Sequence, residues 1–200
     1  AGVLYSHSHY VHGTAALIGE DAAVPVVGHP NLNGNLATGG AGSAFPETGP
    51  LQSARTLEQF CHFLPERGPD APTSIAVHFG RSGQRPVNRP VADRERLVLA
   101  GVELECHTAH GSDTDDCLTV FLPARGVVLN NLLWPFLPNI YTLRGSKFRD
   151  PREWRDGLKR IRALQPEVVI GTHARALIGR DEIRSTLDAV IDALDLIFDQ

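Results

Sequence analysis

The sequence predicts an α/β fold. Short apolar strand-like runs alternate with amphipathic stretches along 200 residues, and each cluster of histidines falls just past a strand end. The ends of strands are where α/β proteins assemble their sites. With 42% hydrophobic and 21% charged side chains, the chain has the material for one sizeable core, or for a large share of one.

Gly2 to Tyr5 is a short apolar run that leads into Ser6-His7-Ser8-His9-Tyr10-Val11-His12-Gly13, a strand that ends in a polar loop. Thr14 to Asp21 reads as a short helix, and Val24 to Gly28 as a buried strand stopped by glycine. Residues Asn31 to Gly49 are rich in Gly, Asn, Ala and Pro without a hydrophobic period, so a loop or lid is expected there. Thr56 to Leu64 carries apolar residues at helical spacing, Ser74 to Phe79 is β-rich, and Gly68 to Pro72 and Gly80 to Pro90 are turn-rich connectors.

Arg96 to Cys106 alternates around a Gly101 turn, and Cys117 to Leu122 followed by Gly126 to Leu129 repeats the pattern, so two hairpins are expected. Asp150-Pro151 opens a helix through about Ala163, with Asp150 as cap and Pro151 in the first turn. Glu167 to Gly171 reads as a buried strand. Asp181 to Phe198 is an amphipathic helix with Ile183, Leu187, Val190, Ile191, Leu194 and Ile197 on one side.

A net charge of −4 and the absence of a Lys/Arg run exclude an electrostatic case for nucleic acid. No apolar run approaches the ~18 residues of a membrane span, so no membrane partner and a cytoplasmic location are expected. Cys61, Cys106 and Cys117 are an odd, widely spaced set and read as reduced thiols.

The chemistry lies in the histidines. His7 and His9, two apart at a strand end, share a face and can converge on one ion, with His12 on the following loop. A solvated histidine-rich turn is the plainer alternative. His173 follows the strand Val168 to Gly171 by the same grammar, and Asp113, Asp115 and Asp116 lie in a Gly/Ser-rich loop that is either a source of carboxylate ligands or an acidic surface turn.

His-x-His-x-x-His after an apolar strand resembles the HxHxDH signature of the metallo-β-lactamase superfamily. Tyr141-Thr142-Leu143-Arg144-Gly145-Ser146-Lys147-Phe148-Arg149-Asp150 resembles the TLRG...RD segment of its alkylsulfatase branch. Trp154, Gly171-Thr172-His173 and Gly179 keep the family's order. The resemblance implies an αββα sandwich, and a hydrolase that cleaves a sulfate ester or similar small anionic ester with a metal-activated water. It makes His7, His9 and Asp113 ligands of a first metal and matches His12 and His173 to a second. It gives Arg144 to the sulfate group, with Arg149 as a further candidate for the same pocket or else a surface ion pair with Asp150 or Glu153.

Two departures modify that expectation. Val11 stands where the family has an aspartate and Asn131 where it has a bridging glutamate, so one zinc is expected rather than two. Iron or manganese is an alternative, and His12 or His173 is freed for acid–base work or Asn131 for contact with substrate. A non-hydrolytic tailoring reaction on a specialised metabolite and a non-catalytic binding subunit are the competing functions. The histidine motif begins at residue 7, whereas the superfamily places several strands before it. Residues 1–200 are therefore expected to form a single incomplete domain, completed by a second polypeptide that is either a cleaved N-terminal segment or a separate subunit.

Overall fold

The computed structural model describes residues 1–19, 23–37, 54, 57–58, 63–65, 67–71, 83–138, 140 and 147–199. Two sheets lie face to face. The smaller has three parallel strands in the order β1 (Val3–Leu4), β2 (Val26–Gly28) and β3 (Arg89–Pro90). The larger has six, in chain order: β4 (Glu95–Leu99), β5 (Val102–His107), β6 (Thr119–Leu122), β7 (Val127–Asn130), β8 (Val168–Gly171) and β9 (Leu177–Ile178).

Both expected hairpins form. Ala100 and Gly101 have φ of 51° and 82°, the pair of positive values that a tight turn between right-twisted strands requires. The pairing Leu97↔Leu104 and Leu99↔Val102 points leucines and valine inward, while Arg96 and Glu105 form an ion pair on the outer face at 2.8 Å. That alternation is the period-2 pattern of a strand with one buried face. β7 and β8 pair in parallel, so the chain crosses over between them through a helix.

Among the described residues, four α-helices complete the layers: α1 (Thr14–Ile18), α2 (Leu32–Ala37), α3 (Pro151–Ala163) and α4 (Arg180–Phe198). Asp150 caps α3 by accepting from the Arg152 N–H at 2.9 Å, and Pro151 sits in its first turn. The helix pair α3 and α4 covers one face of the larger sheet through Trp154, Leu158, Ile161, Leu187, Ile191 and Leu194 against Val128 and Val169. Between the sheets, Val27, Val91, Leu104, Cys106, Leu118 and Val120 form a second core. On the far side of the small sheet, Ile18 of α1 and Leu32 and Leu36 of α2 pack with Tyr5, Val11 and Val26. The order is helix, sheet, sheet, helix, the expected αββα sandwich.

Three expectations change. Residues Leu32–Ala37 form α2 within the stretch read as loop; Leu32 and Asn35, three apart, are its buried positions, a period too short to show among so many small residues. The rest of that stretch, 38–49, lies outside the described residues, as do Ser74 to Phe79 and most of Thr56 to Leu64. Arg89–Pro90, read as connector, adds the third strand to the small sheet, its pairing supplied by β2 rather than by propensity. β8 is not buried on both faces: Val169 is covered, but Ile170 is 43% exposed and its neighbour Ile178 on β9 is 70% exposed. These side chains share the face that the small sheet covers further along, at β4 to β6.

His110 lies under α3, where Gly157 lets the helix approach: a Cβ there would stand 2.6 Å from Leu132 Cδ1 and 3.1 Å from His110 Cβ. Neither ring nitrogen of His110 has a hydrogen-bond partner among the described residues. Burial, helped by nearby Arg160, lowers its pKa from 6.5 to about 4. The unfolded chain therefore takes up a proton between pH 6.5 and 4 that the folded chain refuses, and stability falls as pH falls through that window. Comparing urea midpoints at about pH 7 and about pH 4.5, the variant His110→Asn should lose about 1–3 kcal/mol less than the parent. An identical loss would remove His110 as the cause.

Candidate metal centre

The strands that precede the site all deliver their C-terminal ends to one edge. β5 leads into the loop holding Asp113, β7 into Asn131, and β8 into His173, while β1 of the other sheet leads into His7. Thr172 N–H donates to Asn130 O at 3.1 Å, which holds the exits of β7 and β8 side by side. Leu118 N–H donates to Ser6 O at 2.8 Å and joins the two sheets at the same edge.

His7 is fully buried with extended backbone, and Ser8–Tyr10 is a single turn of 3-10 helix rather than further strand. Alternation along a strand therefore does not bring His7 and His9 together; the turn does. Their rings meet edge to face at 5.0 Å, and both face Asp113 Oδ2, from His9 Nδ1 at 2.9 Å and His7 Nε2 at 3.7 Å. The turn is held by Asp116, which accepts from the Ser8 N–H at 3.2 Å and from Asn35 Nδ2 at 2.9 Å. Asp116 and Asn35 are supporting residues whose roles carry no local sequence signal, because their partners lie about 80 to 108 residues away along the chain.

Asp113 is the buried charge of the site, 5% exposed. Burial pushes its carboxyl up, but the hydrogen bond with His9, the proximity of His7 and the Ser112 hydroxyl outweigh this and hold it below the usual carboxylate range. Asn131 Nδ2 donates to Asp113 Oδ1 at 2.6 Å and to Ser112 Oγ at 3.0 Å; Thr172 Oγ1 in turn donates to Asn131 Oδ1. Asn131 thus orients the carboxylate. Cys117 closes this network from below, its thiol pushed up to about 12 by burial; Cys106 is also buried and reduced, and Cys61 lies outside the described residues.

One ligating atom from each of His7, Asp113 and His173 lies within 4.8 Å of the other two. The resemblance pairs His173 with His12, whereas in the structure its ring lies 6.0 Å from that of His7, and His12 is exposed on the loop beyond. Burial, opposed by Asp113, lowers the pKa of His7 to about 4, and burial lowers that of His173 as well. Both imidazoles are therefore neutral near pH 7. His7 Nδ1 is 3.0 Å from Ser6 Oγ, and Nε2 of both His7 and His173 is buried without a hydrogen-bond partner among the described residues. Two neutral imidazoles grouped with an ionised carboxylate fit a divalent cation, for which these are common ligands.

Arg149 is buried, and its charge acts on His173. Asp150 pairs with Arg152 at 2.6 Å. Arg144 lies outside the described residues. Asp115 is half-buried and bound to Lys147 and to Asn35, each at 2.7 Å. Val11, in place of the family's aspartate, is fully buried with Tyr5 and Val26.

The architecture of paired sheets between helices is the metallo-β-lactamase fold. In sequence, the chain is similar to an alkylsulfatase. It is 28% identical over 210 residues to a linear primary-alkylsulfatase of Pseudomonas sp. (strain ATCC 19151), a match that takes in 99% of this chain and 38% of that relative. The stereoselective inverting sec-alkylsulfatase Pisa1 from Pseudomonas sp. superposes with a TM-score of 0.77 at 23% identity, over 97% of this chain and 32% of that one. A metallo-β-lactamase family protein from Thermus thermophilus gives 0.62 at 19% identity, over 98% of this chain and 60% of that one. No family model matches the chain. The chain thus spans little more than a third of the curated relative. No helix among the described residues is long and apolar enough to cross a membrane.

If Asn131 sets the orientation of Asp113, Asn131→Ala should weaken zinc binding by about 10- to 100-fold, the usual cost of removing a residue that holds a ligand. Competition with a chromophoric chelator measures it; unchanged affinity would mean that Asp113 is held well enough without Asn131.

Proposed function

We propose that this region carries the metal centre of a hydrolase acting on a sulfate ester or similar anionic ester, with a single ion. The observation that carries the reading is the convergence of His7, Asp113 and His173, one ligating atom of each within 4.8 Å of the others. His7, Asp113 and His173 would hold the ion, and His9 stands beside them through its bond to Asp113. When bound, a divalent ion acidifies a coordinated water toward neutral pH and neutralises charge on the ester.

The chain's own residues supply the rest. Asn131, fixed by Thr172, keeps Asp113 aimed at the cluster, and Arg149 adds positive potential beside His173 for an anionic substrate. Arg144, in the segment that resembles the sulfate-gripping one of alkylsulfatases, is proposed as the direct contact to the anion. His12, outside the cluster, is the residue left for proton transfer. A single ion is favoured because Val11 is buried in apolar packing and Asn131 brings an amide donor, not a second carboxylate, to Asp113. Zinc suits two imidazoles and a carboxylate; iron(II) and manganese are the alternatives to be measured.

The apolar face formed by Val168, Ile170 and Ile178 supports a second element of the proposal. Water contact for two isoleucines beside a core is costly, at roughly 25 cal/mol per Å² of apolar surface. We assign that face to a further polypeptide segment that continues the small sheet and lies over β8 and β9.

Incubated with a panel of alkyl and aryl sulfates, the zinc-loaded protein as isolated from its source should release inorganic sulfate from at least one of them, and His173→Ala should lower kcat by about a hundredfold or more. Removal of the metal with a chelator should abolish turnover and zinc should restore it. Full binding of one zinc without turnover of any sulfate or phosphate ester would favour the non-hydrolytic or binding-subunit reading.

A further inference from the structure

The ligand cluster is flanked by aromatic rings that the hydrolytic reading does not use. Tyr10 stands 4.9 Å from the His7 ring and 5.6 Å from the His173 ring, edge-on to the latter. Its hydroxyl lies 3.5 Å from His173 Nδ1, at the limit of a hydrogen bond. Trp134 meets the same imidazole at 4.5 Å, and Phe136 stands at right angles to Trp134 at 5.9 Å. His173 is therefore in ring contact with Tyr10 and Trp134, and Phe136 extends the aromatic surface outward.

Trp134 is rigidly placed. Its indole N–H donates to Asn131 O at 3.2 Å, and its ring packs edge-on against buried Trp154 at 5.4 Å. Tyr10 and Phe136, by contrast, are 53% and 64% exposed. Neither ring is held in place by filling a core. Large apolar side chains exposed together beside a polar cluster mark a binding surface more often than a chance arrangement.

We infer that the organic part of the substrate is an aromatic ring, which packs against Phe136, Trp134 and Tyr10 while its anionic group reaches the ligand cluster. The inference rests on the anionic-ester reading for the position of that group. Aromatic pairs gain offset-stacked or edge-to-face contacts beyond area burial, which an alkyl chain does not. Trp134 and Phe136 already stand edge to face, and Phe136 leaves much of its ring open to a third partner. A long alkyl chain would instead need a run of aliphatic side chains, and beside these rings the exposed aliphatic residue among the described ones of the same segment is Leu137.

The test uses two anions that carry one sulfonate and cannot be hydrolysed, naphthalene-2-sulfonate and octane-1-sulfonate, titrated calorimetrically into the metal-loaded protein as isolated. The aryl anion should bind about tenfold tighter. Phe136→Ala and Phe136→Leu should each weaken it by about 3- to 10-fold while leaving the alkyl anion within about twofold. The leucine variant keeps apolar volume at an exposed position, so loss in it reports the ring and not a folding defect. Equal or tighter binding of octane-1-sulfonate, unchanged aryl affinity in Phe136→Leu, or no binding of either anion would overturn the inference. Turnover is not part of the readout: loss of aryl preference with ester hydrolysis intact removes this inference alone, and aryl preference without hydrolysis removes the hydrolase reading alone.

Discussion

A carboxylate taken out of water must be matched by donors, and the site is arranged around that requirement at Asp113. Its oxygens receive Asn131 at 2.6 Å, His9 at 2.9 Å and Ser112 at 3.0 Å. These partners come from the turn after β1, the loop after β5 and the exit of β7. An unmatched charge at 5% exposure would cost several kcal/mol, so the three segments are bound to meet. The same charge, left with one open side, faces His7 and His173 and gives the neutral imidazoles a reason to share a cation with it.

The fold supplies the convergence through strand direction. In the larger sheet β5, β7 and β8 run the same way, so their C-terminal ends share an edge with the end of β1 in the smaller one. The crossover through α3 makes β7 and β8 parallel neighbours, and the register Asn130↔Gly171 sets Asn131 and His173 in adjacent loops. The helix pair buries Trp154, which braces Trp134 against His173. Packing of the outer layer is thereby transmitted to the mouth of the site, while Asp116 and Asn35 brace the opposite wall through the Ser8 N–H.

Much of the scaffold was legible because it rests on local rules. The Asp150-Pro151 cap, the Gly101 turn and the apolar stripe of α4 each depend on neighbours a few residues away. α2 and β3 were not legible, because Leu32–Ala37 carries no apolar stripe and Arg89–Pro90 becomes a strand through pairing with β2 alone. The exposure of Ile170 was hidden for a related reason: a run such as Val168 to Gly171 reads as buried on both faces whether or not anything covers the second.

The sequence by itself determined the chemical inventory, histidines and aspartate delivered past strand ends in a pattern resembling one superfamily, because residue type and short spacing are local properties. Tertiary structure alone decided the grouping. It set His173 beside His7 and Asp113, left His12 outside, buried Arg149, turned Asn131 into the donor that orients a carboxylate, and drew Tyr10 and Trp134 onto one imidazole. Those relations span about 18 to 166 residues of chain and follow from sheet order and register, which a linear pattern of side chains does not encode.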